Sequence, residues 1–125
     1  MSTAIDKERD RVIALSQMVI RAWRLLDGLS VAPEVTLVAL AVRLGWYQKR
    51  PLDVSAIATM TGLPRSTVNR HIKALEGLNR MAATRIGRRS VPLPTSMDAA
   101  EIGRFLASLE ALVVSTAAVV SKMGT

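Results

Sequence analysis

No cysteine occurs among the 125 residues, and histidine occurs only once. The first absence excludes disulfides, thiolate zinc sites and thiol-based redox sensing in this chain, and it fits a reducing compartment. The second excludes histidine-rich metal clusters and leaves little room for histidine-based catalysis. Aromatic residues make up 3% of the chain while half of it is apolar. A core drawn from Ala, Val, Leu, Ile and Met suits packed helices better than a β-sandwich. The start, Met1–Arg11, is polar and charged, with no apolar signal-peptide core behind it. No charge-free run is longer than Ala111–Ser121, about half of what a membrane-spanning helix needs. A soluble, cytoplasmic chain with no membrane partner is therefore expected, and its length fits one structural domain. No nucleophile–base–acid set, metal-ligand cluster or phosphate-cradling glycine loop is visible, so neither enzyme activity, metal nor cofactor is expected.

Charge is what the chain does have, and it is unevenly placed. Between Thr61 and Thr95 stand Arg65, Arg70, Lys73, Arg80, Arg85, Arg88 and Arg89 against the single acid Glu76, so this stretch carries +6 of the total +7. The rest holds ten basic and nine acidic residues and is nearly neutral. Positive charge gathered in one segment points to a polyanionic partner. Whether that partner is duplex DNA, RNA or a membrane depends on the fold that carries it.

Ile5 to Asp27 reads as a helix, with apolar residues at Val12, Leu15, Val19, Trp23 and Leu26. Gly28 is placed as a left-handed C-terminal cap. Ser30 offers an N-cap for a second helix, with Pro33 and Glu34 in its first turn. That helix runs to about Tyr47 through Val35, Leu37, Val38, Leu40, Ala41 and Leu44, and Gly45 with Gln48-Lys49-Arg50-Pro51 ends it. It is apolar on most sides, which places it at the centre of the domain. Trp23, Trp46 and Tyr47 read as core, the alternative being the lining of a ligand pocket between the dimerising and DNA-binding parts.

The most informative stretch follows. Asp53 is a good N-cap for a short helix, Val54 to Met60, and Gly62 supplies the backbone freedom of a sharp turn. Pro64 opens another helix that continues to about Leu78. Within it Val68, Ile72 and Leu75 form one apolar stripe. At about 100° per residue, Ser66, Arg70 and Lys73 lie opposite, flanked by Thr67 and Asn69. A bracing helix, a glycine turn and a second helix with a polar, basic outer face are the parts of a helix-turn-helix. His71, near the edge of the stripe, reads as a boundary residue or phosphate contact.

Asn79 can take the left-handed conformation that stops this helix. Met81–Ile86 and Arg89–Leu93 then read as two strands joined at Gly87-Arg88, with glycine first in the turn as a tight hairpin prefers. Pro92 suits an edge strand. Arg88 and Arg89 stand at the tip with Arg85 nearby, placed to reach phosphates or a minor groove. These features predict a mainly α fold, a winged helix-turn-helix with long N- and C-terminal helices. Ser66, Thr67, Asn69 and Arg70 are the expected base contacts; Arg65, Lys73, Arg85, Arg88 and Arg89 are the expected phosphate and wing contacts.

Leu52 to Thr95 resembles the winged helix-turn-helix of MarR-type transcription factors. The matching pieces are Leu52-Asp-Val-Ser-Ala-Ile-Ala, Thr61-Gly-Leu-Pro-Arg-Ser-Thr-Val-Asn-Arg-His-Ile and Gly87-Arg-Arg-Ser-Val-Pro-Leu-Pro-Thr95. Gly87 stands where the family's wing usually has an acid, and Asn79-Arg80-Met81 where it usually has Gly-Leu-Val. The helix-turn-helix core also resembles other bacterial regulators, the IclR type among them. The resemblance implies binding to a pseudo-palindromic operator as a homodimer, often with release by a small-molecule effector.

The C-terminal segment argues for self-association without that resemblance. Thr95 or Ser96 caps a helix, and Asp98 suggests a capping box. Ile102, Phe105, Leu106, Leu109, Leu112, Val113, Thr116, Val119, Val120 and Met123 then recur every three to four residues. Two long apolar-striped terminal helices exceed what one small subunit needs to cover. Residues 1–30 and 96–125 are therefore expected to dimerise, through Val12, Val19, Trp23, Ile102, Phe105, Leu106, Leu109, Leu112, Val113 and Val120. Residues 31–95 form the expected DNA-binding region. The competing reading is a winged helix that binds protein rather than DNA.

Overall fold

The first helix, α1 (Ala4–Asp27), starts at a reciprocal cap: the Thr3 hydroxyl accepts the Asp6 N–H at 3.1 Å, and the Asp6 carboxylate accepts the Thr3 N–H. Such a box satisfies two of the donors that a helix start leaves open. None of its 24 residues is buried. The expected left-handed cap at Gly28 does not form, for its φ is −81°. Gly28 N–H donates to Arg24 O and Leu29 N–H to Leu26 O, so the chain leaves the helix through a right-handed turn.

The computed structural model describes residues 3–123, without the side chains of Asp98 and Met123. It divides into two compact units: Ser30–Ala100, and Met1–Leu29 with Glu101–Thr125. The central unit closes a core of its own, drawn from residues 31–81.

That core is built on α2 (Pro33–Tyr47), which buries Val35, Thr36, Val38, Ala39, Ala41, Val42 and Gly45. It packs against α3 (Val54–Thr61), α4 (Arg65–Gly77) and the second strand of the hairpin. Ala32, not Ser30, is its N-cap, and no side chain caps it. Pro33 at the first position needs no N–H partner, while the Ser30 hydroxyl accepts from the Arg80 guanidinium at 2.7 Å.

Gly45 does not end α2; it lets the chain fold back beneath it. A Cβ there would meet Arg50 O and Leu52 Cγ, each at 2.8 Å. The reversal itself falls to Lys49, at φ +60°. Gly77, in α4, has nothing within 4 Å of a Cβ. Gly45→Ala should therefore destabilise by about 1–3 kcal/mol through overpacking, despite alanine's better helix propensity. Gly77→Ala should stabilise by about 0.5–1 kcal/mol. Urea denaturation of both variants checks this, and equal shifts of one sign would refute it.

Strands β1 (Met81–Ile86) and β2 (Arg89–Pro94) form an antiparallel hairpin in register from Met81↔Pro94 to Ile86↔Arg89. Gly87 has φ +62°, and Arg88 is not left-handed. That is the pattern of a II′-type turn, where only the first central residue needs a positive φ. A single 3₁₀ turn, Ser96–Asp98, leads into α5 (Ala99–Met123). The Thr95 hydroxyl donates to Asn79 O at 2.6 Å instead of capping the helix. The Asp98 side chain, read as the acid of a capping box, and that of Met123, read as the end of the apolar seam, lie outside the described residues. By length and apolar composition α5 could cross a membrane. Glu110 lies within that apolar stretch and argues instead for a helix with one packed face, because a charge in a bilayer core is costly.

Candidate nucleic-acid interface

The helix-turn-helix is assembled from local chemistry. Asp53 caps α3, its Oδ1 accepting the Ala56 N–H at 2.9 Å. At the other end Gly62 adopts φ +78°, a conformation that an L side chain rarely takes. The Thr61 hydroxyl donates to Ile57 O and accepts from the Leu63 N–H, so one side chain ties the last turn of α3 to the connecting turn. Pro64 precedes α4 as its N-cap residue, and Asn79, at φ 58°, closes the far side.

Within α4, Val68, Ile72 and Leu75 are buried. Each contributes about 1.5–3 kcal/mol by leaving water, which fixes the rotation of the helix about its axis. The opposite side is thereby committed to solvent. Arg65, Ser66, Asn69, Arg70 and Lys73 are all exposed, whereas Thr67 is half-buried on the flank. Of the four expected base contacts, Ser66, Asn69 and Arg70 thus share one open face, and Thr67 is partly turned into the domain.

Along the hairpin every residue from Ala82 to Ser90 is exposed, and Val91 is completely buried. Register decides where its arginines point. Arg85 is opposite Ser90 and Ile86 is opposite Arg89, so Arg85 and Arg89 leave opposite faces of the ribbon. Arg89 shares its face with Val91, and its Nη1 lies 3.5 Å from Asp53 Oδ2. Among the described residues, Arg65, Arg70, Lys73, Arg85 and Arg88 have no acidic partner. Five uncompensated cations on one helix face and one ribbon make a surface suited to a phosphate backbone.

Two pairings were not legible in the sequence. Asp53 gives no sign of being more than a cap. His71, read as a boundary residue or phosphate contact, has its ring Nε2 2.9 Å from Glu34 Oε2, and its side chain is 12% exposed. It ties α4 to the first turn of α2. No local pattern signals either contact, since each depends on how separate elements pack.

These elements make a winged helix-turn-helix, a fold whose second helix and ribbon are shaped to meet nucleic acid. Residues 48–79 match the IclR helix-turn-helix domain. Among solved structures the chain is similar to a MarR family protein from Bacillus stearothermophilus, with TM-score 0.68 and 14% identity, over 94% of this chain and 82% of that one. It is also similar to RV1404 from Mycobacterium tuberculosis, with TM-score 0.63 and 14% identity, over 92% and 80% of the two chains. A third is BpsR of Bordetella bronchiseptica, whose DNA binding is regulated by 6-hydroxynicotinic acid; TM-score is 0.59 and identity 16%, over 83% and 74%. No curated protein matches the sequence significantly. The fold is similar to that of the MarR family structure over nearly the whole chain, and the family match is confined to the helix-turn-helix.

Proposed function

We propose that this protein is a cytoplasmic transcription regulator that binds a pseudo-palindromic operator as a homodimer. Each copy lays α4 in the major groove and its wing on the flanking backbone or minor groove. The observation that carries this reading is the α4 face of Ser66, Asn69, Arg70 and Lys73, exposed and free of acidic partners, together with a wing arginine, Arg88, in the same condition. Arg70, Ser66 and Asn69 read base edges, with Thr67 contributing from the flank. Arg65, Lys73, Arg85 and Arg88 hold phosphates. A two-fold dimer sets its recognition helices roughly 34 Å apart, one turn of DNA.

Self-association is supported by α1 and α5. Val12, Val19 and Trp23 are 58%, 64% and 56% exposed in the single chain, and Leu106 and Val113 are exposed as well. Leu109, Leu112 and Val120 are half-buried. Ile102 and Phe105 are already buried within the chain and have no surface left for a partner. The seam is therefore proposed to run through the other eight residues.

Salt-titrated binding to duplex DNA tests the reading. The parent should lose affinity steeply with salt, and Arg88→Ala should lower the log–log slope by about 1 while weakening all sequences alike. A parent slope near zero would instead favour a protein-binding winged helix.

A further inference from the structure

The three wing arginines look interchangeable in the sequence, and the structure separates them. Arg88 occupies the turn, and Arg85 leaves the ribbon on one face, unpaired. Arg89 leaves on the other face, the one it shares with the fully buried Val91, and reaches Asp53. Asp53 thereby has two tasks. One carboxylate oxygen accepts the Ala56 N–H and starts α3; the other faces the Arg89 guanidinium at 3.5 Å.

We propose that Arg89 is a positioning residue rather than a phosphate contact: held by the α3-capping carboxylate of Asp53, it sets the angle of the wing against the helix-turn-helix. The inference rests on the DNA-binding reading above. The outer part of the wing needs such an anchor, because no residue between Ala82 and Ser90 is buried and apolar packing begins only at Val91. A two-stranded ribbon has little stability of its own. Its tip would otherwise sweep through many directions, and Arg88 would reach DNA in only some of them. The pair joins the start of α3 to the base of the tip, so the bracing helix and the wing become one frame. A phosphate role for Arg89 would require it to leave Asp53 and cross from the core-facing side of the ribbon.

The test uses the full-length protein and a labelled random duplex of roughly 30 base pairs, room for two half-sites one turn apart. Its variants are Arg88→Gln, Arg89→Gln, Asp53→Asn and the double Asp53→Asn/Arg89→Gln. Asparagine is as good an N-cap as aspartate, so Asp53→Asn removes the ion pair and leaves the cap; unchanged melting of each variant verifies this. Arg88→Gln should lower the salt slope by about 1. Arg89→Gln and Asp53→Asn should each leave the slope at the parent value and weaken binding about three- to fivefold, the scale of a partly exposed ion pair. The double variant should be no weaker than either single one, since both break the same contact. A slope reduced by Arg89→Gln as by Arg88→Gln would overturn the assignment. So would Asp53→Asn binding as tightly as the parent or more tightly, because Asp53 would then only compete with phosphate for the arginine. If the parent shows no salt-dependent binding, the DNA-binding reading fails and this one with it; if the parent binds and only the Arg89 and Asp53 outcomes differ, this one alone fails.

Discussion

A chain carrying Val19→Glu and Val113→Glu should sediment as a monomer and bind a selected operator about 10²–10⁴-fold more weakly than the parent, the scale on which a linked second binding event is lost. The expectation follows from what the single chain leaves uncovered. A surface helix of a globular protein normally buries one apolar stripe. In α1 no residue is buried, although Val12, Val19 and Trp23 repeat at helical spacing along it. Val113 continues the same condition on α5. Both substituted side chains are exposed in the single chain, at 64% for Val19 and 46% for Val113, so the glutamates can keep their charge in water there. The winged-helix unit keeps its own core, built from other residues. In a homodimer the same glutamates would be buried opposite apolar side chains and one another, which costs several kcal/mol for each charge left without a partner. Sedimentation velocity and operator titration of the same preparation decide the matter. A double variant that sediments like the parent would end the proposal that these helices pair two copies. A monomeric parent with full operator affinity would do the same.

Arg70→Ala should reduce the preference for a selected operator over random duplex about 5- to 150-fold, equivalent to the roughly 1–3 kcal/mol carried by a good bidentate contact. Its effect on random duplex should be small, because only one cation is lost among several. Arg70 lies on the side of α4 opposite Val68, Ile72 and Leu75, exposed and without an acidic partner. Its planar fork of donors suits guanine, the base that arginine most often reads. Alanine is a better helix former and no packing is disturbed, so stability should not fall. The ratio of the two affinities is the diagnostic quantity. An unchanged ratio would remove Arg70 from the base-reading set and shift the burden to Ser66 and Asn69. A fall in both affinities together would make Arg70 one more phosphate contact.

The two predictions probe different levels of the same design. In the proposed homodimer the apolar stripes of α1 and α5 bring two reading heads together, while the rotation of α4 decides what each head presents. Removing the first should abolish bivalent binding without changing which bases one copy prefers. Removing the second should leave the dimer intact.

Much of the reading head was legible beforehand because it is specified by local rules. Asp53 as an N-cap, Gly62 and Asn79 at positive φ, and the hairpin turn at Gly87-Arg88 all depend on the conformational preferences of one to four neighbouring residues. The apolar spacing of Val68, Ile72 and Leu75 told which side of α4 would face inward, and so which side would be left for DNA. Gly28 and Ser30 misled for a related reason. Their residue types permit a left-handed cap and an N-cap, but permission is not selection, and Arg80 takes the Ser30 hydroxyl instead. Gly45 was legible as a special position with the wrong purpose, since only the returning chain at Arg50 and Leu52 reveals why no side chain fits.

By itself the sequence determined the helices, the turn, the ribbon and the concentration of positive charge, since backbone preference and apolar periodicity act within a few residues. Only the tertiary structure decided which cations are spent within the molecule and which remain for DNA. His71 meets Glu34 across 37 residues, and Arg89 meets Asp53 across a comparable stretch. Such pairs exist because packing brings distant elements within a few ångströms, and no periodicity along the chain encodes that distance.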